Sequence, residues 1–346
     1  MTVFLLLSGG LDSSVAGYLL KKKGFDLICC FLDLFNPKNK KDNSKQMAQR
    51  IAKKLKSKFL ILDLKKEFKK EVIEKTIKYY KKNLTPNPCM ICNQKIKFGK
   101  AFSFFLKQKY DFFATGHYAK IKKQKNKYSL FEAKDKSKDQ SYFLYHLDQK
   151  KLKKIIFPLG ELKKEKVIEI AKKNNLFLKE IKESQEICFL EKTDIREFLL
   201  KKLGKKEGEI FEIETKKFLG YHPGFWFFTL GQRSGLNLSS GPYFIVKKDA
   251  KKNILYVSKN RFHFLIWPKK VVLKKLSFID KDFLKKRKFE AKIVLRHHQS
   301  KIKTKVFLEK NKGICFLKKR VFAPVQGQYG VFYKNSKVIG GGMISN

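Results

Sequence analysis

The chain reads as an α/β protein: a doubly wound parallel sheet with helices, followed by a small central β-rich domain and a C-terminal β-barrel. Three observations predict this. Apolar runs of strand length alternate with helical patterns through the first half of the chain. After about Lys205, short alternating strands appear between Gly208, Gly220, Gly224, Gly231, Gly235 and Gly241. From Val271 a second β pattern runs to the end, with strands expected at 291–295, 303–308, 314–317 and 331–333. At 346 residues the chain exceeds one typical core. The expected domains are 1–204, 205–270 and 271–346.

Residues 2–7 form an apolar strand that ends in Ser8-Gly9-Gly10-Leu11-Asp12-Ser13-Ser14, and Val15, Leu19 and Leu20 continue as a helix. Paired glycines let a backbone bend closely around a ligand. Amides at a helix start lack partners and sit at the positive end of the dipole, so they suit an anion. The same residues also fit an ordinary strand–turn–helix capped by Asp12 or Ser13. Local pattern leaves both readings open.

Gly24 stops the first helix, and residues 25–32 read as a second strand. Phe35-Asn36-Pro37 begins a polar, Lys-rich loop. Asn43 or Ser44 can cap a helix carrying Met47, Ile51 and Leu55. Residues 59–64 form a third strand, and Phe68, Val72, Ile73, Ile77 and Tyr80 mark another helix. Two prolines make Thr85-Pro86-Asn87-Pro88-Cys89-Met90-Ile91-Cys92-Asn93 extended and rigid. A helix resumes through Ile96, Ala101, Phe102 and Phe105. Residues 112–115 form a strand ending at Gly116-His117-Tyr118, 119–130 a short hairpin, and 165–174 a helix. Thr193 or Asp194 caps a helix ending at Gly204. Ligands of parallel sheets bind beyond the carboxyl ends of the strands. The loop at 8–12 and His117 are therefore expected to face one crevice.

Lys and Arg number 80 against 31 Asp and Glu, a formal net charge of +49. Such a surface attracts polyanions, nucleic acid above all. Only seven of the basic residues are arginine, which also fits a Lys-favouring bias of composition. No apolar run approaches the length of a membrane span, and the first residues carry no leader signature. A soluble, cytoplasmic chain without membrane contact is expected.

Six cysteines stand at 29, 30, 89, 92, 188 and 315. Cys29, Cys30 and Cys315 lie in apolar runs and read as packing residues. Cys89, Cys92 and Cys188 lie in polar or turn contexts, where a cytosolic chain uses thiols for chemistry or metal. Cys89-x-x-Cys92 alone is half a zinc site, but a second such pair is missing and Cys188 supplies only a third ligand. No metal site is expected from these residues.

A Ser-Gly-Gly-x-Asp-Ser loop after the first strand resembles the PP-loop of ATP pyrophosphatases. A P-loop is excluded because no Gly-Lys-Ser/Thr follows at the required spacing. Further strings follow in order: Asn87-Pro88-Cys89-Met90-Ile91-Cys92-Asn93, Ala114-Thr115-Gly116-His117-Tyr118-Ala119, Lys138-Asp139-Gln140-Ser141, Ser184-Gln185-Glu186-Ile187-Cys188-Phe189 and Gly231-Gln232-Arg233-Ser234-Gly235-Leu236. Together they resemble the bacterial tRNA-specific 2-thiouridylases, from Ser8 to about Tyr333.

The resemblance implies 2-thiolation of U34 in tRNA(Lys), tRNA(Glu) and tRNA(Gln). ATP, with Mg²⁺, would adenylate the C2 oxygen of uridine, and a persulfide on Cys188 would supply the sulfur. A sulfur-carrier protein would load that persulfide. Cys92 would act as the nucleophile that releases the product, leaving a transient Cys92–Cys188 disulfide. By position, Leu6, Leu7, Ser8, Gly9, Gly10, Leu11, Asp12, Ser13, Leu32 and Gly116 would bind ATP. Asn87, Pro88 and Cys89 would meet the target base, and His117, Lys138, Asp139, Gln140, Arg296, His297 and Gln328 the tRNA. Leu32 stands where relatives carry an adenine-contacting Met, and Cys89 where some carry an aspartate. The Lys-rich surroundings lead us to expect a lowered pKa for the reactive thiols.

Two other classes compete. A PP-loop amidating ligase would need neither Cys92 nor Cys188 and would want a glutaminase unit, which the chain lacks. A non-catalytic RNA-binding protein would use the charge but would leave the Ser-Gly-Gly-x-Asp-Ser loop unexplained.

Overall fold

Thr2–Leu6 (β1) alternates its side chains between two cores. Phe4 and Leu6 face one, with Phe68, Phe98, Phe105 and Phe113; Val3 and Leu5 face the other, with Val15, Leu20 and Ala52. A strand buried on both faces is what helices packed on each side of a parallel sheet require. In this computed structural model, which describes residues 1–35, 43–176, 187–190 and 193–345, that sheet has five strands. They are β1, Asp26–Asp33 (β2), Lys58–Asp63 (β3), Phe112–Ala114 (β4) and, after the hairpin of Ala119–Gln124 (β5) and Lys127–Glu132 (β6), Ile155–Ile156 (β7). The order is β3-β2-β1-β4-β7, with every neighbouring pair parallel. The loops after β1 and β4 therefore open side by side.

The connections are helical, as the periodicity predicts. Leu11–Lys22 follows β1 and Ser44–Lys54 follows β2. Asn43 precedes the second of these but makes no side-chain cap, and residues 36–42, with the expected start of the Lys-rich loop, lie outside the described region. Asp194 does cap Ile195–Leu203, accepting from the Glu197 amide at 2.7 Å. The prolyl segment leads into one continuous helical stretch: Pro88–Cys92 α-helical, Asn93–Ala101 π-helical, Phe102–Lys107 α-helical.

The central sheet comprises Gly208–Glu212 (β8), Phe218–His222 (β9), Phe244–Asp249 (β10) and Ile254–Ser258 (β11), in the order β10-β11-β8-β9. It packs on Phe225, Trp226 and Phe228. The final strands are Lys270–Phe278 (β12), Lys288–Val294 (β13), Ile302–Glu309 (β14), Lys312–Leu317 (β15), Tyr329–Lys334 (β16) and Lys337–Ser345 (β17). Pairing of β12 with both β15 and β17 closes these six into a barrel. The hairpin β5–β6 does not join the first sheet. It extends the barrel sheet through Lys337 opposite Phe131, and so ties the first part of the chain to the last.

Candidate functional site

The carboxyl ends of β1, β2 and β4 open into a crevice lined by Leu6, Ser8, Asp12, Ser13, Thr115, Gly116 and His117. Cys30, Phe31, Leu32 and Leu34 form an apolar wall at the end of β2. Gly10, not Asp12 or Ser13, caps the helix. Ser13 Oγ instead ties the loop together, donating to the Gly10 carbonyl at 2.9 Å and accepting from the Ser8 amide at 3.2 Å. Leu11, Asp12 and Ser13 open a twelve-residue helix, where amides have no carbonyl one turn back to bond.

Two glycines set this geometry. Gly9 has φ +78°, and a Cβ there would lie 2.3 Å from the Ser44 carbonyl oxygen. Gly116 has no unusual φ, but a Cβ would lie 2.9 Å from the Ser13 amide nitrogen. The end of β4 thus runs directly against the start of the helix.

Asp12 is held from two sides. Its Oδ1 accepts from Lys164 Nζ at 2.6 Å and from the Tyr118 hydroxyl at 2.7 Å. Lys164 is buried, and its ammonium lies 5.8 Å from the centre of the Tyr118 ring. His117 is buried beside Thr115, whose Oγ1 is 2.6 Å from Nδ1. Burial first, then the charge of Lys97, holds its pKa well below the ordinary value, so the ring is neutral near pH 7.

Seven of the residues expected to bind ATP line the crevice: Leu6, Leu7, Ser8, Asp12, Ser13, Leu32 and Gly116. Gly9 and Gly10 shape the loop behind it, and Leu11 is buried in the core beneath. Free amides at the helix start at one end and an apolar wall at the other fit an adenine nucleotide. Among the described residues, no three His, Cys, Asp or Glu side chains group closely enough to hold a metal.

Two of the thiols, Cys89 and Cys92, sit on the neighbouring helical stretch. Asn87 caps it, accepting from the Met90 amide at 3.1 Å, and Asn93 Nδ2 donates to the Cys89 carbonyl at 2.9 Å. Cys92 is buried, Cys89 half-buried and Cys188 exposed. Cys188 opens a single turn, Cys188–Leu190, which Phe189 anchors against Phe68 and Phe198 at ring separations of 6.1 and 5.4 Å. Residues 183–186, which precede it in its motif, lie outside the described region.

The expectation of lowered thiol pKa values is overturned. Burial raises Cys92 to about 12 and Cys89 above its usual value, and the protein packed around the sulfur of Cys188 raises that thiol to about 11 although the residue keeps access to solvent. The abundant surface lysines stay in water, where their fields are screened, while desolvation acts directly on the sulfur. Each thiol also feels Lys97, which lowers the pKa of all three, so all three lie within range of one ammonium.

The residues expected to meet tRNA fall into two groups. Gln140 lines the crevice and accepts the Tyr118 amide at 3.1 Å. Asp139 is bound to the Ala133 amide and the Ser141 hydroxyl, and its carbonyl meets His297 Nε2 at 3.0 Å. Lys138 adjoins it, half-buried. Exposed Arg296 and half-buried Gln328 share a pocket with Thr85 on the barrel side. Gln328 Nε2 donates to the carbonyls of Thr85 and Pro86 at 3.2 and 3.4 Å, so the barrel steadies the loop that leads to Pro88 and Cys89. Gln232 is bound within its own turn, to the Thr229 amide and the Ser234 carbonyl.

Sequence reasoning missed Lys97, Lys164 and the hydroxyl of Tyr118. Lys97 carried a faint signal, five residues beyond Cys92. Lys164 carried none, being 152 residues from its partner Asp12.

Comparison with known proteins adds three matches along the chain. The family model described as tRNA methyl transferase HUP domain matches residues 1–192. Those described as tRNA methyl transferase PRC-barrel domain and Aminomethyltransferase beta-barrel domain match 196–259 and 269–344. The tRNA-specific 2-thiouridylase MnmA of Karelsulcia muelleri (strain GWSS) is 38% identical over 98% of this chain and 97% of that protein. That of Mycoplasma mycoides subsp. mycoides SC is 37% identical over 98% and 96%. MnmA 1 of Bacteroides thetaiotaomicron is 43% identical over 75% and 74%.

Proposed function

The chain belongs to the tRNA-specific 2-thiouridylase family, and on that premise we propose that it uses ATP to replace the C2 oxygen of the wobble uridine in tRNA(Lys), tRNA(Glu) and tRNA(Gln) with sulfur. The observation that carries this reading is the juxtaposition of a phosphate loop and thiols. The loop of Ser8 to Ser13 faces Gly116 and His117 across one crevice, and the helix bearing Cys92 enters that crevice at Lys97.

An amide-type oxygen is a poor leaving group. The C2 oxygen attacks the α-phosphate of ATP, pyrophosphate departs, and the oxygen then leaves C2 as part of AMP. The amides of Leu11, Asp12 and Ser13 would hold the phosphates as charge develops on pyrophosphate. Leu32 and its apolar neighbours would take the adenine. Mg²⁺, when bound, would supply positive charge to the polyphosphate, and Asp12 is the carboxylate lining the crevice, with Oδ1 held by Lys164 and Tyr118 and Oδ2 left to face it.

A carrier protein would load Cys188, the exposed thiol, with a persulfide. Its terminal sulfur attacks C2. Cys92 then attacks Sγ of Cys188, the electron pair of the S–S bond passes to the sulfur on C2, and a Cys92–Cys188 disulfide remains. An external dithiol must reduce that disulfide for the next turnover. His117, neutral and fixed by Thr115, would meet the tRNA without adding charge. Arg296, His297 and Gln328, with Lys138 to Gln140, would position the tRNA. The methyl-transferase wording of two family models finds less support here, because methyl transfer requires neither an ATP-splitting loop nor paired thiols.

The test is thiolation of unmodified tRNA by the purified protein with ATP, Mg²⁺ and a persulfide donor. 2-Thiouridine should appear at position 34, and Cys188→Ser should abolish it while sparing pyrophosphate release. Failure of the wild type to thiolate, or full persulfide-dependent activity in Cys188→Ser, would sink the reading.

A further inference from the structure

Lys97 is the one basic side chain among the described residues that line the crevice. The crevice's carboxylate, Asp12, is already paired with Lys164. No hydrogen bond or ion pair engages the Lys97 ammonium among the described residues. A half-buried cation without a counter-ion, at the mouth of a phosphate loop, is poised for an anion that arrives later.

The helix geometry explains how it gets there. Cys92 caps the π-helical segment Asn93–Ala101, and Lys97 lies five residues on. In an α-helix, residues five apart point about 140° away from one another. The i to i+5 bonding of a π-helix instead brings them into register, one above the other. The wide turn therefore presents Lys97 on the side of Cys92.

We propose that Lys97 is the anion-stabilising residue of both halves of the reaction, its ammonium meeting the nucleotide phosphate during activation and the attacking thiolate during sulfur transfer. This rests on the thiolation reading above. The titratable groups that face it are Cys89, Cys92, Cys188 and His117, with Asp12 and Cys30 across the crevice. Of these, the thiols are held protonated by burial, so a nearby positive charge sets how readily sulfur ionises. The same charge adds to burial, the larger cause, in keeping His117 neutral.

The experiment measures iodoacetamide alkylation of Cys92 and Cys188 against pH in the tRNA-free protein, by peptide mass spectrometry. Lys97→Met should lower alkylation at pH 8 by about tenfold at one or both thiols and move the profile to higher pH. Lys97→Arg should restore most of the rate, and Lys97→Gln should behave like Lys97→Met with unchanged thermal melting. tRNA-dependent pyrophosphate release should fall in parallel. Unchanged alkylation profiles in both neutral variants would overturn the proposal, as would equal loss in Lys97→Arg. If the wild type makes no 2-thiouridine, the thiolation reading fails, yet the alkylation comparison still decides whether Lys97 acts on the thiols.

Discussion

The phosphate crevice and the thiol site lie side by side and are built in opposite ways. At the crevice, backbone meets backbone: Gly116 runs against Ser13, Gly9 against the Ser44 carbonyl, and Asp12 is clamped by Lys164 and Tyr118. That part is prearranged, as a site that stabilises developing charge must be. At the thiol site, Cys92 is buried and Cys188 exposed, and both thiols are protonated at neutral pH. One region is ready for its ligand, whereas the other must be ionised by its surroundings before it can react.

The sharpest way to break this contrast is to damage the crevice alone. Gly116→Val forces a branched side chain onto the Ser13 backbone. Misplacement of about 1 Å at a reacting site can cost about a hundredfold. Pyrophosphate release should fall by that order, while alkylation of Cys188 stays at the wild-type rate. A parallel fall in alkylation would show that the two regions are mechanically one.

A smaller effect is expected from Lys164→Met, which removes one partner of Asp12 and leaves the carboxylate to Tyr118. The KM for ATP should rise roughly tenfold through loss of a charge-assisted contact, with little change in the pH profile of the thiols. An unchanged KM would reduce Lys164 to a packing role.

The smallest effect at working pH concerns His146, which lies behind both regions against Phe98. Neither ring nitrogen has a hydrogen-bond partner among the described residues, and burial lowers its pKa to about 3. The folded state thus resists a proton that the unfolded state accepts near pH 6.5. Stability from this group is complete above about pH 6.5 and is lost as pH falls toward 3, at about 1.4 kcal/mol per pH unit. His117 adds in the same direction. His146→Leu should flatten the acid limb of a denaturation series by about one proton and leave activity at pH 7.5 intact. An unaltered slope would mean that His146 finds a partner in solution.

Much of the fold is readable from pattern alone. The apolar run at residues 2–7 predicted the first strand, and the structure covers it with a core on either side. The family motifs named the loop and the thiols because those strings are local, and local strings survive without knowledge of packing. The hairpin expected at 119–130 is recognisable as a hairpin, but not as part of the barrel sheet, since one pairing of Lys337 with Phe131 across the chain decides that. The same limit hid Lys97, where an α-helical reading points the side chain away from Cys92 and only the π-helical turn brings it round.

The sequence by itself determined the order of strands and helices, the Ser-Gly-Gly-x-Asp-Ser loop at a strand's carboxyl end, and which cysteines stand in reactive contexts. Each depends on residue type and on spacings of a few positions. Tertiary structure alone decided that Lys164 neutralises Asp12, that the barrel's Gln328 steadies the carbonyls of Thr85 and Pro86, and that burial outweighs eighty basic residues at the thiols. Ion pairs and desolvation are functions of distance in space, and the same separation along the chain is compatible with contact or with none.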